Sequence, residues 1–270
     1  MASEHDGGGD PGRTLALLWR GRTAAGRPPG KPVKGRKPRI GVDQIVHAAV
    51  AVADAGGLTA VSMARVAEQL GVGPMTLYTH VPGKAELIEL MVDAVMTERE
   101  LPGPGHPARP AGWRAQVEHY AAQTRALHVR HPWLREVSTA RPPLGPGMMA
   151  EYEYLLSALR DAGLPPSQMF AASGTIVTYV VAAARQEAED IQIEQATGQT
   201  WDAWWGERRH LWDEHFDADA YPTMTQVWLD GGFDDAGDDD TSTEDPYMYG
   251  LQRLLDGIEA ATRPPRASRP

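Results

Sequence analysis

The feature that most constrains the fold is the segment from Ser62 to Lys84, which has the pattern of two short helices joined by a tight turn. Ser62 can cap the first helix, because a serine oxygen accepts a hydrogen bond from a backbone N–H of the first turn. Gly71 follows that helix, where a left-handed residue is commonly needed, and Gly73-Pro74 can begin the second helix. Apolar side chains form the wedge between the helices, at Val66, Leu70, Val72 and Leu77. The segment is therefore predicted to be a helix-turn-helix, the alternative being an ordinary corner between two helices.

Helical periodicity continues through most of the remaining chain, and no alternating strand pattern of useful length interrupts it. The prediction is an all-α protein, with an N-terminal three-helix headpiece that contains the helix-turn-helix and is followed by a larger helical domain. Helices are predicted over Val42–Ala55, from Pro82 or Gly83 to Glu100, and over Ala111–His131, Gly147–Ala162, Ser167–Gln195, Trp201–Phe216, Thr223–Leu229 and Pro246–Thr262.

Charge is strongly segregated along the chain. The net charge is −10, yet residues 20–39 contain eight basic side chains and no acidic one, whereas residues 230–245 contain eight acidic side chains and no basic one. Affinity for nucleic acid depends on the local basic surface rather than on the total charge. The acidic composition therefore does not exclude a nucleic-acid partner for the region beside the helix-turn-helix.

Several classes of function lack their usual signatures in this sequence. Cysteine is absent, which excludes disulfides and thiolate metal sites and is compatible with the cytoplasm. No uninterrupted apolar run approaches the ~20 residues of a membrane span, and no secretory pattern is present. The chain has no phosphate-binding glycine loop and no nucleophile elbow. His128 and His131 are three residues apart, but no further metal ligands accompany them. We expect no enzyme activity, no metal and no cofactor.

The helix-turn-helix and its flanks are similar to the tetracycline-repressor (TetR) family of transcriptional regulators between about Val42 and Val95. The resemblance depends on Leu58-Thr59-Ala60-Val61-Ser62-Met63, Val66-Ala67, Gly71-Val72, Leu77-Tyr78, His80-Val81, Lys84 and Leu87. It implies a homodimer that binds double-stranded operator DNA and is released by a small-molecule effector. Two readings from other classes stay open: a sequence-independent architectural DNA binder, and an enzyme that carries a helix-turn-helix headpiece.

Four regions are expected on this basis. Residues 1–40 are predicted to be a disordered, basic N-terminal arm that contacts phosphates or acts as a linker, although Thr14–Trp19 could instead form a helical turn that docks on the body. Residues 41–100 are the DNA-binding domain with its connecting helix. Residues 108–262 are the ligand-binding and dimerisation domain, and residues 263–270 are a disordered tail. By resemblance, the helices Ser167–Gln195 and Pro246–Thr262 are candidates for dimerisation.

The second helix of the motif is predicted to enter the major groove. Because it has no arginine or asparagine for a bidentate base contact, we expect phosphate contacts, van der Waals contacts and DNA shape to share the specificity. The alternative for His80 is a partly buried residue of the headpiece core. The predicted DNA-binding residues are Arg39, Ser62, Met63, Gly73, Pro74, Met75, Thr76, Tyr78, Thr79, His80 and Lys84.

The larger domain is rich in tryptophan, and the resemblance implies a small-molecule pocket among its helices. Large aromatic side chains with a few polar tips suit such a pocket, although the alternative for any one tryptophan is the core. The predicted ligand-binding residues are His128, Trp133, Tyr152, Met169, Tyr179 and Trp212.

Overall fold

A computed structural model describes residues 10–21, 40–138, 140–232 and 245–262. Over these residues the chain is helical and contains no strand, which confirms the predicted all-α class. The helices are α1 Pro11–Leu18, α2 Val42–Gly56, α3 Met63–Gln69, α4 Pro74–Tyr78, α5 Lys84–Met96, α6 Trp113–Arg130, α7 Pro146–Asp161, α8 Pro166–Thr197, α9 Trp201–Glu207, α10 His210–Glu214, α11 Pro222–Leu229 and α12 Pro246–Thr262, with short 3₁₀ helices at Leu58–Ala60 and Pro132–Glu136.

The helix-turn-helix is formed by α3 and α4, as the sequence predicts. The Ser62 hydroxyl accepts a hydrogen bond from the Arg65 backbone N–H at 3.1 Å and caps α3. Gly71 has a φ of +68°, and the Val72 N–H donates to the Ala67 carbonyl at 3.0 Å, which closes the helix end in a Schellman motif. Because only glycine adopts this φ without strain, Gly71 fixes the direction in which α4 leaves α3.

A shared apolar core holds the headpiece, here residues 40–83, against α5. The wedge residues Val66 and Leu77 are completely buried, while Leu70 and Val72 pack at the edge of the same core. The α5 helix follows the helix-turn-helix directly and adds buried side chains to this core, among them Leu87, Ile88, Leu90 and Met91. One packed unit therefore fixes both the position of α5 and the position of α4.

A second connection joins the headpiece to the beginning of the larger domain. The Trp133 indole N–H donates to Oδ1 of Asp54 at 2.8 Å, and the same oxygen lies 2.7 Å from Nδ1 of His131. On the other side of the ring, His131 Nε2 lies 3.1 Å from Oε2 of Glu98. Burial would raise the pKa of Glu98, but hydrogen bonds from His131 and Arg130 outweigh burial and lower that pKa. We call Asp54, Glu98, His131 and Trp133 the hinge cluster.

The prediction that residues 1–40 are disordered is wrong for residues 10–21, where α1 forms and docks on α5. Leu18 is buried against the headpiece core, and the Trp19 indole N–H donates to the Leu144 carbonyl at 2.9 Å. Arg20 pairs with Asp43 of α2 at 2.6 Å. Of the two alternatives for Thr14–Trp19, the structure therefore shows the docked helix, which is held by one short apolar face. The predicted basic arm lies largely in residues 22–39, which are outside the described residues.

The described chain forms two compact units that divide at Ala188, inside α8. The first unit contains the headpiece and α5 to α7, so the predicted division at residues 101–107 does not coincide with a break in packing and stays a prediction.

In the second unit, the Trp201 and Trp204 rings stack with centroids 5.8 Å apart. The Trp212 and Trp228 rings stack at 6.4 Å. Most of the acidic segment and the predicted disordered tail lie outside the described residues.

One described helix, α8, is long and apolar enough to cross a membrane by length and composition. Thr178 and small residues interrupt the apolar run in the sequence without making the helix polar, so the absence of an uninterrupted run does not exclude this property. A single helix of this kind is weak evidence for a membrane span, since helices that pack against protein satisfy the same criterion. Only 22% of its most apolar window is buried within the chain.

The close contact between α5 and α7 allows the packing of these two helices to be tested. The Gly147 N–H donates to Asp93 Oδ1 at 2.8 Å, and a Cβ added at Gly147 would lie 2.7 Å from the Asp93 carbonyl oxygen. Gly147→Ala should therefore lower the free energy of unfolding by about 1–3 kcal/mol, because backbone cannot move aside cheaply. Denaturant unfolding at a fixed protomer concentration measures the change.

The matched control is Gly174→Ala in α8, where an added Cβ meets nothing within 4 Å. This substitution should raise the free energy of unfolding by about 0.5–1 kcal/mol, the usual gain for alanine in a helix interior. Equal effects of the two substitutions would contradict the close approach of α5 and α7.

Candidate nucleic-acid interface and ligand cavity

The outer face of α4 presents three exposed side chains. Met75 is 75% exposed and Tyr78 is 43% exposed, and Thr76 is exposed beside them. Leu77, on the opposite face, is completely buried. Single exposed apolar side chains are common on protein surfaces, so the exposure of Met75 shows only that this side chain is available to a partner.

The polar residues around α4 complete this surface. The Thr79 hydroxyl donates to the Thr76 carbonyl at 2.6 Å, so its oxygen stays available as an acceptor. Gly73 and Pro74 are exposed at the beginning of α4, His80 is half-buried at its end, and Lys84 occupies the first position of α5. Since His80 is half-buried, its position is compatible both with a DNA contact and with a role in the headpiece core.

The structure corrects one of the predicted DNA-binding side chains and leaves another outside its range. Met63 is buried, with an exposed fraction of 6%, because the apolar face of α3 points into the headpiece; its side chain is withdrawn from the surface. Ser62 is exposed, but its oxygen already accepts the cap bond from Arg65. Arg39 is not among the described residues. The remaining predicted residues lie on or beside α4.

A cavity of about 350 Å³ opens within the first unit, among α5, α6, α7 and the first half of α8. This volume falls in the range of pockets that bind small organic molecules. Its walls are mainly apolar, and the Tyr152 and Phe170 rings stack with centroids 6.0 Å apart at one side. The apolar and aromatic lining consists of Val92, Met96, Leu127, Leu134, Val137, Ala140, Pro142, Pro143, Met148, Tyr152, Phe170, Val177 and Val181.

A buried ion pair lies in the wall of this cavity. Nη1 of Arg99 donates to Oε2 of Glu151 at 2.6 Å and to the Thr124 hydroxyl at 3.2 Å. The Tyr120 hydroxyl donates to the same carboxylate oxygen at 3.0 Å. Buried charges persist when they are paired and hydrogen-bonded, and removal of one partner strongly destabilises the fold. The group therefore ties the residues after α5 to α6 and α7.

His128 lies in the same wall and is uncharged at neutral pH. Burial disfavours the imidazolium, and the positive charges of Arg185 and Arg99 disfavour it further, so the pKa of His128 falls to about 4. Its Nδ1 atom is buried and has no hydrogen-bond partner among the described residues. A neutral imidazole can donate from one ring nitrogen and accept at the other.

Two of the six predicted ligand-binding residues, His128 and Tyr152, line the cavity. Trp133 does not, because its indole N–H serves the hinge cluster. Met169 and Tyr179 are half-buried on α8 and are absent from the lining, and Trp212 stacks in the second unit. These four residues lie outside the cavity for one reason: bulk and aromaticity favour burial in general and do not single out a cavity wall.

Arg99 and Glu151 are the charged cavity residues that the sequence prediction missed. A signal was available in each case, because each charged side chain falls in phase with an apolar helix face. Arg99 follows Val92 and Met96 at helical spacing, and Glu151 lies between Met148 and Leu155. A charge on a face that must be buried requires a partner. The described residues contain no group of three or more His, Asp or Glu side chains arranged to hold a metal ion.

Sequence models of one protein family match the two parts of the chain. The model described as bacterial regulatory proteins, tetR family, matches residues 45–91, which include the helix-turn-helix and most of α5. The model described as the tetracyclin repressor-like C-terminal domain matches residues 106–262, which include the cavity helices α6 to α8.

Individual proteins with the same architecture match over most of the chain. The HTH-type transcriptional repressor DrrR1 of Streptomyces coeruleorubidus is 40% identical over 258 residues, covering 96% of this chain and 89% of DrrR1. The crystal structure of apo ActR from Streptomyces coelicolor is 28% identical with a TM-score of 0.64, covering 84% of this chain and 98% of that one. The structure of ActR in complex with actinorhodin gives 29% identity and a TM-score of 0.65, covering 83% and 97%.

The depressed pKa of His128 predicts a specific pH dependence. The folded protein holds a neutral imidazole down to about pH 4, whereas the unfolded chain takes up a proton near the ordinary pKa of about 6.5. The unfolded state therefore binds more protons in this window, and the stability contribution is complete above about pH 6.5 and is lost as the pH falls towards 4. Between about pH 7.5 and about pH 5, the wild type should lose about 2 kcal/mol more free energy of unfolding than His128→Gln.

Denaturant unfolding at several pH values gives this difference. His47→Gln serves as a control at an exposed histidine, and its pH profile should stay parallel to that of the wild type. Parallel profiles for His128→Gln and the wild type would show that His128 is not held neutral by burial.

Proposed function

Because the chain belongs to the TetR family of bacterial regulatory proteins, we propose that it is a transcriptional repressor that binds operator DNA through α4 and is released when a small molecule occupies the α5–α8 cavity. One observation carries the proposal: a single packed unit contains both an exposed face on α4 and a cavity that is bordered by the residues after α5. DrrR1 is described as a repressor, and ActR binds actinorhodin, which supports both parts.

The chemistry of α4 suits recognition in the major groove. Thr76 can donate or accept a hydrogen bond and has a methyl group that can contact thymine, and Met75 can make van der Waals contacts with base edges. The Tyr78 hydroxyl can donate to a phosphate oxygen, and Lys84 adds a positive charge close by. Because no side chain of α4 makes a bidentate base contact, DNA shape contributes to the specificity.

A symmetric dimer is part of this proposal. One headpiece contacts too few base pairs to define an operator, whereas a two-fold dimer places two recognition helices on half-sites about one DNA turn apart. The apolar surface that α8 leaves exposed, including Ile193 at 52% exposure, is suited to contact with a second subunit. In this reading α8 and α12 pair with their counterparts. The protein would act in the bacterial cytoplasm, where operator DNA lies.

Release by a ligand requires a path from the cavity to α4. The α5 helix begins just after the helix-turn-helix, and Arg99, three residues beyond its end, forms part of the cavity wall. The hinge cluster holds the far end of α2 to the residues after α6. A ligand that moves Arg99 would therefore move α5 and the headpiece together. It releases DNA if it binds better to the DNA-incompetent arrangement, by typically 1–3 kcal/mol.

The DNA-binding part can be tested without knowledge of the natural operator. Selection from a random duplex pool by the full-length protein should enrich an inverted repeat, and one dimer should bind the selected duplex. Thr76→Ala combined with Tyr78→Ala should weaken binding to this duplex at least tenfold at fixed salt, because each lost groove contact costs about 1–3 kcal/mol. Fluorescence anisotropy of the labelled duplex measures the affinity.

The control replaces the same residue types outside the headpiece, with Thr97→Ala and Tyr221→Ala at exposed positions. It should leave the affinity within about twofold of the wild type. Enrichment of no sequence, with steep salt dependence of binding, would favour an architectural DNA binder instead. Full affinity in the Thr76 and Tyr78 double variant would remove α4 from the interface.

A further inference from the structure

The N-terminal helix α1 and the two residues after it contact three different elements through three consecutive side chains. Leu18 is buried in the core that the headpiece shares with α5. The Trp19 indole N–H donates to the Leu144 carbonyl, in the segment just before α7. Arg20 pairs with Asp43 in the first turn of α2. This short segment therefore joins the headpiece to a part of the larger domain that is distant in sequence.

Helix α1 lies outside the parts of the chain that match the family models. The first of these models begins at residue 45 and the second at residue 106, whereas α1 ends at Leu18. Its role must therefore be inferred from its own contacts. The inference made here rests on the proposed ligand-responsive function and concerns how the cavity and the headpiece are linked.

The segment that accepts the hydrogen bond from Trp19 continues directly from the cavity wall. Pro142 and Pro143 line the cavity, and Leu144 is the next residue. Because each proline ring fixes its φ near about −65°, two consecutive prolines form a stiff piece of chain. A ligand that displaces this part of the wall would therefore also move the carbonyl group that holds Trp19.

The contact made by Arg20 reaches the headpiece. Nε and Nη2 of Arg20 donate to Oδ1 of Asp43 at 2.8 and 2.6 Å, and Nη1 donates to the Leu17 carbonyl at 2.8 Å. Because the guanidinium nitrogens form a rigid fork, these bonds join the end of α1 to the beginning of α2. The segment thus provides a path from the cavity wall to α2 that does not run along α5.

Few contacts hold α1 in place. It has eight residues, and a helix shorter than about 12 residues is marginal unless a surface covers it. A cavity of about 310 Å³ is bordered by Leu18 and Arg20 on one side and by Val46 and Val50 of α2 on another. Formation of α1 and its docking are therefore one event, and a segment with so few buried contacts can undock without unfolding of the core.

We propose that α1 is a strap that stabilises one arrangement of the cavity wall relative to the headpiece, and that Trp19 and Arg20 are the positioning residues that hold it. The two side chains reach their partners together only while Leu144 and Asp43 keep the spacing seen in the structure. Loss of either contact lowers the population of this arrangement. The strap thereby sets the equilibrium between the two arrangements on which a ligand and the DNA act.

The strap can be tested through the ratio of two affinities of the full-length protein. If the ligand and the operator prefer opposite arrangements, the ratio of their association constants is proportional to the ratio of the two populations. Loss of folded protein lowers both affinities by the same factor, so a merely structural role leaves this ratio unchanged. The ligand probe is 9-anthracenecarboxylate, titrated by its fluorescence, and anisotropy of the selected duplex gives the operator affinity.

Trp19→Phe keeps an aromatic ring, removes the indole N–H and changes no charge, so a lost phosphate contact cannot explain its effect. It should change the affinity ratio at least about twofold, because one hydrogen bond changes an equilibrium constant by about 2- to 13-fold. Arg20→Gln should change the ratio in the same direction and by less, since exposed ion pairs are weak. Arg13→Gln, at an exposed position on α1, removes the same charge and should leave the ratio unchanged.

The wild type separates failure of the strap from failure of the proposed function. If probe and operator weaken each other's binding to the wild type, an unchanged ratio in Trp19→Phe, or changes of opposite direction in the two single variants, would overturn the strap alone. If the wild type binds no probe, or binds probe and operator independently, the strap and the proposed release by a ligand are both wrong. The α4 variants test DNA binding independently.

Discussion

The buried ion pair between Arg99 and Glu151 is the interaction on which the rest of the larger domain depends. It joins the residues after α5 to α7, and hydrogen bonds to Thr124 and Tyr120 add α6 to the same group. Charges are expensive to bury, and they persist here because each is paired and hydrogen-bonded. The pair thereby fixes the spacing of three helices around the cavity. The same residues that hold these helices together also line the cavity.

The route from this group to the DNA-facing surface is short and made of packed elements. The α5 helix shares its core with α2, α3 and α4, and the close approach at Gly147 holds it against α7. The hinge cluster adds a second connection, from Asp54 at the end of α2 to His131 and Trp133 beyond α6. Packed cores change between discrete arrangements rather than deforming continuously. A small displacement of Arg99 is therefore expected to appear as a rigid movement of the headpiece.

The sequence predicted the headpiece well because its determinants are local. The Ser62 cap, the left-handed Gly71 and the Pro74 helix start each act within a few residues, and each has the predicted geometry. The docking of α1 could not be decided from sequence, because a short apolar segment forms a stable helix only when a surface covers it. Tertiary packing, and not propensity, provides that surface on α5.

The cavity was predicted less well for a different physical reason. A wall is formed by side chains from distant segments, and aromatic residues such as Trp133 are as easily used for structure as for a ligand. His128 and Tyr152 line the cavity, but no feature of the sequence separates them from the other four predicted residues. Arg99 and Glu151 were accessible to the same reasoning, since a charged residue in phase with an apolar stripe must find a partner. The sequence does not show that Arg99 and Glu151 pair with each other.

The central claim is that the cavity and the DNA-binding face are coupled, and linkage provides its most direct test. If the ligand weakens DNA binding, the DNA must weaken ligand binding by the same factor. The measurement is the affinity of the full-length protein for a small fluorescent aromatic probe, 9-anthracenecarboxylate, alone and saturated with its selected operator duplex, with a scrambled duplex at the same salt as control. The account predicts that the operator lowers this affinity by roughly 5- to 150-fold and that the scrambled duplex does not. Equal affinity in the presence and absence of operator would contradict the coupling.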